Sequence, residues 1–301
     1  MILCCGEALI DMLPRDTTGG EAAFAPYAGG AVFNTAIALG RLESQVQFFS
    51  GLSSDLFGQQ LVNVLHESRV DTAPCHISDR PTTLAFVRLV DGHATYAFYD
   101  ENTAGRMLTA DVLPQVTADA LFFGGISLVV EPCGDAYRTL MQRNADQKLI
   151  MIDPNIRPGF ITDEAAYRAR LTDMLGMSDI VKISDEDLAW LQGKTDPAAL
   201  LTDGGPQVVL LTRGADGVTI YTRYGAFDVA AQRAEVVDTV GAGDTFNAGF
   251  LAGLDRAGLL SKDGVRQASA DDLRAAATLG AQAAAITVSR AGANPPWSHE
   301  L

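Results

Sequence analysis

The run Asp238-Thr239-Val240-Gly241-Ala242-Gly243-Asp244-Thr245-Phe246-Asn247-Ala248-Gly249-Phe250 sets one carboxylate among small residues, directly ahead of an apolar helical pattern. Gly241 and Gly243 let the backbone turn sharply and leave its amides uncovered. Phe246, Ala248, Phe250, Leu251 and Leu254 recur as one helical face. A helix beginning here aims its free N–H groups and positive dipole end at the loop, which makes the loop an anion site. Asp244 would repel an anion held there. The arrangement makes chemical sense if the acid takes a proton from a nucleophile attacking a phosphate that the amides hold. A short glycine–acid string equally describes a turn with Asp244 as helix cap, so the other residues decide between the two.

Several polar residues stand where strands end. Ile2-Leu3-Cys4-Cys5-Gly6 is a short apolar strand, and Glu7 to Leu13 continues it with two acids, Glu7 and Asp11. Polar residues at the carboxyl end of a strand in an α/β sheet face the ligand crevice, so Asp11 is a candidate for binding neutral hydroxyls. Gly29-Gly30-Ala31-Val32-Phe33-Asn34 opens a second glycine-led helix without the G-x-G-x-x-G of a dinucleotide site. Ser184 can cap the acidic helix Asp185–Leu191, with Asp187 at its third position. Gly193-Lys194-Thr195 resembles the end of a P-loop, but Leu188 stands where that motif needs its first glycine, so it reads as a loop.

The elements that must position these residues alternate strand and helix. Strands read at 46–51, 120–125, 148–153, 179–184 and 208–212, with helices between, the pattern of a parallel sheet covered on both faces. Val218–Tyr221 reads as an antiparallel return strand. Thr82–Val90 and His93–Tyr99 flank Asp91-Gly92 as a β-hairpin, with His93 at the surface. Leu273–Ile286 is a helix of small residues.

Composition bounds the reading. With 301 residues, 48% hydrophobic and 20% charged, the chain is ordinary globular material, not a disordered one. A net charge of −15 argues against binding nucleic acid or an anionic membrane. Cys4, Cys5, Cys75 and Cys133 form no CxxC pair and read as free thiols in a reducing cytoplasm. No uninterrupted apolar run is long enough to cross a bilayer, and the N-terminus lacks the basic stretch of a secretory signal.

The whole string from Asp238 to Phe250 closely resembles the second signature of the PfkB, or ribokinase-like, family of sugar kinases. Gly29-Gly30 with Asn34 resembles the first signature, Gly51 to Gly58 fits the family's Gly-x-Asp-x-x-Gly segment, and Asp153-Pro154-Asn155-Ile156-Arg157-Pro158 is typical of the fructokinase-like branch. Thr212 to Gly217 resembles the Thr-x-Gly-x-x-Gly nucleotide segment. The resemblance spans 1–301 and implies one α/β ribokinase-like kinase domain. It has a mostly parallel central sheet, helices on both faces and a small β-sheet lid from about 12–28 and 80–104, which often serves as a dimer contact.

The same resemblance implies roles. Gly241, Ala242 and Gly243 form the anion hole and Asp244 is the catalytic base. Asp11, Gly29, Gly30 and Asn34 hold the sugar, joined by Asn102, Arg106 and Arg157. Lys182, Ser184, Thr212, Gly214, Gly217, Gly243 and Ala281 meet ATP. Asp187 reaches Mg²⁺ through water, although the family's Asn-x-x-Glu reads Ser184-Asp185-Glu186-Asp187 here. Asp238, Val240, Thr287, Arg290 and Gly292 fall at positions that bind a monovalent cation, K⁺, in many relatives, with Pro296 in place of a serine. The implied activity is ATP-dependent phosphorylation of a hexose, fructose to fructose 6-phosphate. The alternatives are another sugar such as ribose, a sugar acid such as 2-keto-3-deoxygluconate, a nucleoside, or a noncatalytic sugar-binding protein on the same fold. The expected partners are a small sugar and ATP, with no nucleic acid and no membrane, and a homodimer through the lid.

Overall fold

Short runs such as Leu149-Ile150-Met151-Ile152 and Val208-Val209-Leu210-Leu211 are apolar at every position because a strand covered on both faces has no solvent side. The computed structural model describes residues 1–90, 93–192 and 196–301, with the side chains of residues 88–90, 93–96 and 192 outside the description. Elements are numbered along the chain. The main sheet has eight strands: β1 (Ile2–Cys5), β4 (Val46–Phe49), β9 (Ala120–Gly124), β10 (Leu149–Asp153), β11 (Ile180–Ser184), β12 (Val208–Thr212), β13 (Val218–Thr222) and β14 (Gly225–Val229). Their order is β14-β13-β12-β11-β10-β9-β1-β4. Pairings from β4 through β12 are parallel, and β13 and β14 return antiparallel at the edge.

Alternation along each strand splits the core. Ile2 and Cys4 face one side and Leu3 and Cys5 the other. The first side is covered by α1 (Ala31–Arg41), α2 (Leu56–Glu67), α6 (Ala242–Arg256), α7 (Lys262–Gln267) and α8 (Ala270–Val288). The second is covered by α3 (Cys133–Asn144), α4 (Glu164–Met177) and α5 (Asp185–Gln192). All four cysteines are free. Among the described residues no helix is long and apolar enough to cross a membrane.

The lid is a separate sheet of β2 (Leu9–Asp16), β3 (Ala22–Gly29), β7 (Leu84–Val90) and β8 (His93–Tyr99), ordered β3-β2-β7-β8. A smaller parallel pair, β5 (Gly51–Ser53) and β6 (His76–Ser78), has no clear sequence signal at three residues each. The Asp91-Gly92 turn, the side chain of His93 and the Gly193–Thr195 loop lie outside the described residues.

Two sequence expectations are corrected. The first strand does not continue to Leu13. It stops before Gly6, where a Cβ would run into Val32, and the chain turns at Glu7 before entering the lid as β2. Glu7 bends inward because its carboxylate accepts the Ala31 N–H at the start of α1, 2.9 Å away. Asp11 therefore belongs to the lid and not to the end of a main-sheet strand. The small-residue helix is also longer than read, starting at a Ser269 cap that forms a capping box with Asp272.

Its composition has a steric cause. α6 and α8 cross so closely that a Cβ at Gly249 would lie 2.6 Å from Gly280 Cα, and one at Gly253 would lie 2.6 Å from Ala276 Cα. Backbone blocks both, so no rotamer relieves the clash. Gly249→Leu should lose about 3 kcal/mol or more, the upper end of overpacking costs, because the helix that carries Asp244 must move. Urea unfolding of the variant checks this, and a midpoint equal to that of the parent chain would mean the helices can separate freely.

Candidate active site

Gly241 is the N-cap of α6, with φ 77 and ψ 2, the left-handed conformation that glycine adopts without strain. A Cβ there would also lie 2.6 Å from Ala293 Cβ. The helix therefore starts at Ala242 with the first-turn amides facing the loop. No side chain caps it, so Asp244 is not the cap that a simple turn would require. Its carboxylate instead accepts a hydrogen bond from Asn34 Nδ2 at 2.9 Å. Thr35 Oγ donates to the Asp244 carbonyl at 3.2 Å, so two adjacent residues of α1 hold both ends of Asp244. The first glycine-led helix and the second meet at this acid.

Lys182 supplies the positive charge. It is buried within β11, and its Nζ donates to Asp153 Oδ2 at 2.9 Å. Asn247 Nδ2 donates to the same oxygen at 2.7 Å. A Cβ at Gly243 would lie 3.2 Å from Lys182 Nζ, so the ammonium sits beside Gly243 at the start of α6. Burial alone would lower the Lys182 pKa, but the charge and hydrogen bond of Asp153 outweigh it and raise the value. Asp244 is pushed up to about 7, first by burial; the Asn34 hydrogen bond opposes this, the Asp153 charge adds to it, and Lys182 and Arg157 oppose it. Asp187 is pushed up to about 6 by burial and by Asp153.

The helix start at Ser184 forms as the sequence implies, with the Asp187 N–H donating to Ser184 Oγ at 3.0 Å. The Asp187 carboxylate accepts from the Ile156 N–H at 3.1 Å, which ties it to the Asp153–Pro158 turn. Arg157 is exposed at the rim of the same turn, its Nη1 donating to the Ile156 carbonyl at 3.1 Å.

On the lid side, Asp11 Oδ2 occupies the space a Cβ at Gly29 would need, and burial pushes its carboxyl up to about 6. Gly30 has φ 113, and a Cβ there would meet the Glu7 carbonyl at 2.9 Å. Two further expected sugar contacts, Asn102 and Arg106, have protein partners of their own. Asn102 is exposed and accepts from Arg80, while Arg106 pairs with Asp100 at 3.6 Å at the root of the lid. Neither joins the Asn34–Asp244 pair.

On the other side, Thr212 ends β12, and Gly214 and Gly217 have φ 50 and 88, which folds the loop so that the Arg213 N–H reaches the Gly217 carbonyl at 2.9 Å. Ala281 lies half-buried on α8. Asp238 ties two loops together, its oxygens accepting the Val240 and Gly292 amides at 3.0 and 2.9 Å. Thr287 is buried in the last turn of α8 and donates its hydroxyl to Thr245, while Arg290 pairs with Glu300 at 2.5 Å.

Four residues of the site carried no expectation of their own: Glu7, Thr35, Asp153 and Asn247. Two had a usable signal. Asp153 is the one acid ending a wholly apolar strand, and Asn247 falls one helical turn after Asp244. Asp153 Oδ1 and Asn247 Oδ1 are both buried without a hydrogen-bond partner.

Because the Asp244 carboxyl rises from an ordinary 3.8 to about 7, folding favours its protonated form. The stability tied to that proton is complete below pH 3.8 and is lost as pH rises through 7. Asp244→Asn should therefore be more stable than the parent chain at pH 8, and the gap should narrow as pH falls from 7 towards 4. Urea unfolding of both chains at pH 8, 6 and 5 reads this directly, and a gap that stays constant or widens on acidification would contradict it.

Residues 1–300 match the family described as pfkB family carbohydrate kinase. The chain is 55% identical over 279 residues to a fructokinase of Rhizobium leguminosarum bv. trifolii, covering 91% of this chain and 86% of that one. It is 32% identical to a fructokinase of Salmonella typhimurium, with 84% of each chain covered. A crystal structure of a fructokinase from Xylella fastidiosa with bound ATP superposes with a TM-score of 0.85 at 30% identity, covering 97% of this chain and 93% of that one. The chain belongs to the pfkB family of carbohydrate kinases.

Proposed function

We propose that the chain is an ATP-dependent fructokinase that makes fructose 6-phosphate. The observation that carries this is a buried carboxylate, Asp244, held by Asn34 in the first turn of a glycine-started helix with the Lys182 ammonium beside Gly243. Asp11, Gly30 and Asn34 hold the sugar, with Arg157 at the rim. Asp244 takes the proton of the 6-hydroxyl as that oxygen attacks the γ-phosphorus, and the bond to the β-phosphate oxygen breaks as ADP leaves with its electron pair. The amides of Ala242, Gly243 and Asp244, with Lys182, stabilise the charge on the transferring group. Thr212, Gly214, Gly217, Ser184 and Ala281 form the ATP side. A neutral sugar suits this site because the Asn34 amide donates to a carboxylate, whereas a sugar acid would want a cation there.

Mg²⁺ fits the residues present. Asp153 Oδ1 and Asn247 Oδ1 are buried oxygens without hydrogen-bond partners, and Asp187, tied by the Ile156 N–H to the turn that follows Asp153, adds a second carboxylate. Hard oxygens in small number match an ion that keeps water and phosphate ligands. Asp187 and Asp153 would hold it, and it would neutralise charge on the β- and γ-phosphates. For K⁺, Asp238 brings a hard carboxylate to the junction of two loops, and each of its oxygens keeps a further acceptor site beyond its amide bond. Val240, the end of α8 at Thr287, and the loop of Arg290 and Gly292 are the proposed surroundings.

A homodimer through the lid is the finer reading of its partners. On the face opposite Ala85, Phe24 and Tyr99 are 48% and 63% exposed, and each packs edge-on against Phe86 between them. Four free cysteines support a cytoplasmic location.

ADP release measured by a coupled assay across fructose, ribose, 2-keto-3-deoxygluconate and adenosine tests the substrate. Fructose should give the highest kcat/KM, and Asp244→Asn should lower kcat roughly 10²–10⁴-fold while staying folded. Release with no sugar tried would favour a noncatalytic sugar-binding role. The kcat/KM of the parent chain should fall about tenfold per pH unit below about pH 7, where Asp244 gains its proton.

A further inference from the structure

The lid hairpin joins the body through a small buried polar knot. The chain enters the hairpin at Thr82 and Thr83 and leaves it at Asp100 to Arg106. Thr83 Oγ lies 2.9 Å from Asp100 Oδ1 and 2.9 Å from Thr103 Oγ. Thr103 Oγ also lies 3.0 Å from the Asp100 carbonyl. Asp100 is 7% exposed, and its second oxygen makes no hydrogen bond, facing Arg106 Nη1 at 3.6 Å. Arg106 Nε in turn donates to the Glu131 carbonyl at 3.2 Å, on the body. A cavity bounded by Ala8, Ile126 and Phe160 adjoins Thr83, Asp100 and Arg106.

Two further links reach the site. Thr82 donates its N–H and its hydroxyl to the Asp55 carboxylate at 2.9 and 2.7 Å, and the same carboxylate caps α2. The Thr83 carbonyl accepts the Ile10 N–H at 3.0 Å, one residue before Asp11. Beyond the knot, the lid rests on an apolar seam of Leu9, Ala85, Phe98, Ile126 and Phe160. An apolar seam slides at little cost, because it is non-directional. Hydrogen bonds to a buried carboxylate do not slide: they have fixed geometry, and leaving one unmade is costly.

We propose that Thr83, Asp100, Thr103 and Arg106 form a clasp that fixes the root of the lid and thereby the height of Asp11 over the sugar cleft. This rests on the sugar-kinase reading of the site. The four are positioning residues: they act through Asp11 and the lid strands. Arg106, a sugar-contact candidate by sequence, is assigned to the clasp instead. The clasp acts on the sugar and not on ATP, because it holds only the sheet that carries Asp11.

Thr83→Val removes the bridging hydroxyl at nearly constant volume, and Thr83→Ser keeps it. With the clasp broken, a fall of the closed fraction to about one in ten raises the apparent dissociation constant about tenfold. The KM for fructose should rise about tenfold in Thr83→Val, while kcat and the KM for ATP stay within about twofold. Amide hydrogen exchange in β7 and β8 should quicken by a similar factor while exchange in β9 and β10 is unchanged. Thr83→Ser should restore both readouts, and Asp100→Asn, measured in parallel, should weaken both in the same direction as Thr83→Val. An unchanged KM for fructose, a joint rise of both KM values, or faster exchange throughout the main sheet would overturn the proposal. A parent chain that phosphorylates no fructose would instead count against the fructokinase reading, and the exchange comparison would still decide on the clasp.

Discussion

A carboxylate kept dry beside an anion site is the condition on which the rest of this structure depends. Ionising Asp244 in its buried position is unfavourable, yet the proposed chemistry needs it as a base. Asn34 donates to it, Lys182 sits beside the neighbouring glycine, and Asp153 holds Lys182 in place. Remove Lys182 and both acids lose their cation. Remove Asp153 and a buried ammonium is left without its partner, an arrangement that costs more than the pair contributes. The value near 7 is the resultant of these opposing pulls, and it is the range in which a general base works best at neutral pH.

Holding such a network requires elements that cannot drift. Asp153 ends one strand and Lys182 lies in the next, so their separation is set by the spacing of two hydrogen-bonded neighbours in the sheet. Asn247 and Asp244 lie three residues apart on one helix, so the residue that holds Asp153 and the proposed base move as a unit. The contact of α6 with α8 through Gly249 and Gly280 locks that helix against the body. The glycine-rich composition of this region has two separate causes. Gly241 is needed for its left-handed backbone, whereas Gly249 and Gly280 are needed for the absence of a side chain.

How far the sequence could be read follows from the range of each signal. The main strands were legible because two-sided burial writes itself as a continuous apolar run, and the Asp238–Phe250 string was legible because turn, helix start and acid are contiguous. Contiguous strings of this kind single out Asp244 in one helix start and Gly30 and Asn34 in another, and the structure joins Asn34 to Asp244 across 210 residues of chain. What was misread depended on direction in space. Nothing local in Glu7 to Leu13 tells a strand that continues from one that turns into a second sheet, since the turn is made by Glu7 reaching an amide 24 residues away. The expectation for Asn102 and Arg106 comes from their region alone, while their partners in the structure, Arg80 and Asp100, are set by how the lid folds back. Asp153 was visible as a strand end but not as the counter-charge of Lys182, because a cross-strand pair leaves no mark in either segment.

The two sheets divide the work by the kind of force that holds each. The main sheet is packed on both faces, and its polar groups are fixed by charge pairing in a dry interior. The lid is packed on one side through an apolar seam and tied at its root by hydroxyls and a carboxylate. A rigid body suits the groups proposed to meet the phosphates, because charge stabilisation gains most when the donors need no reorganisation. A separate sheet, tied at its root, suits the role proposed for Asp11, because an acid that is to hold the sugar must first let it in. The peptide between β1 and β2 links the two regimes. It passes from a buried strand, through a glutamate that pins α1, to an aspartate in the lid, so within ten residues the chain sets both the helix that holds the proposed base and the strand that carries the proposed sugar ligand.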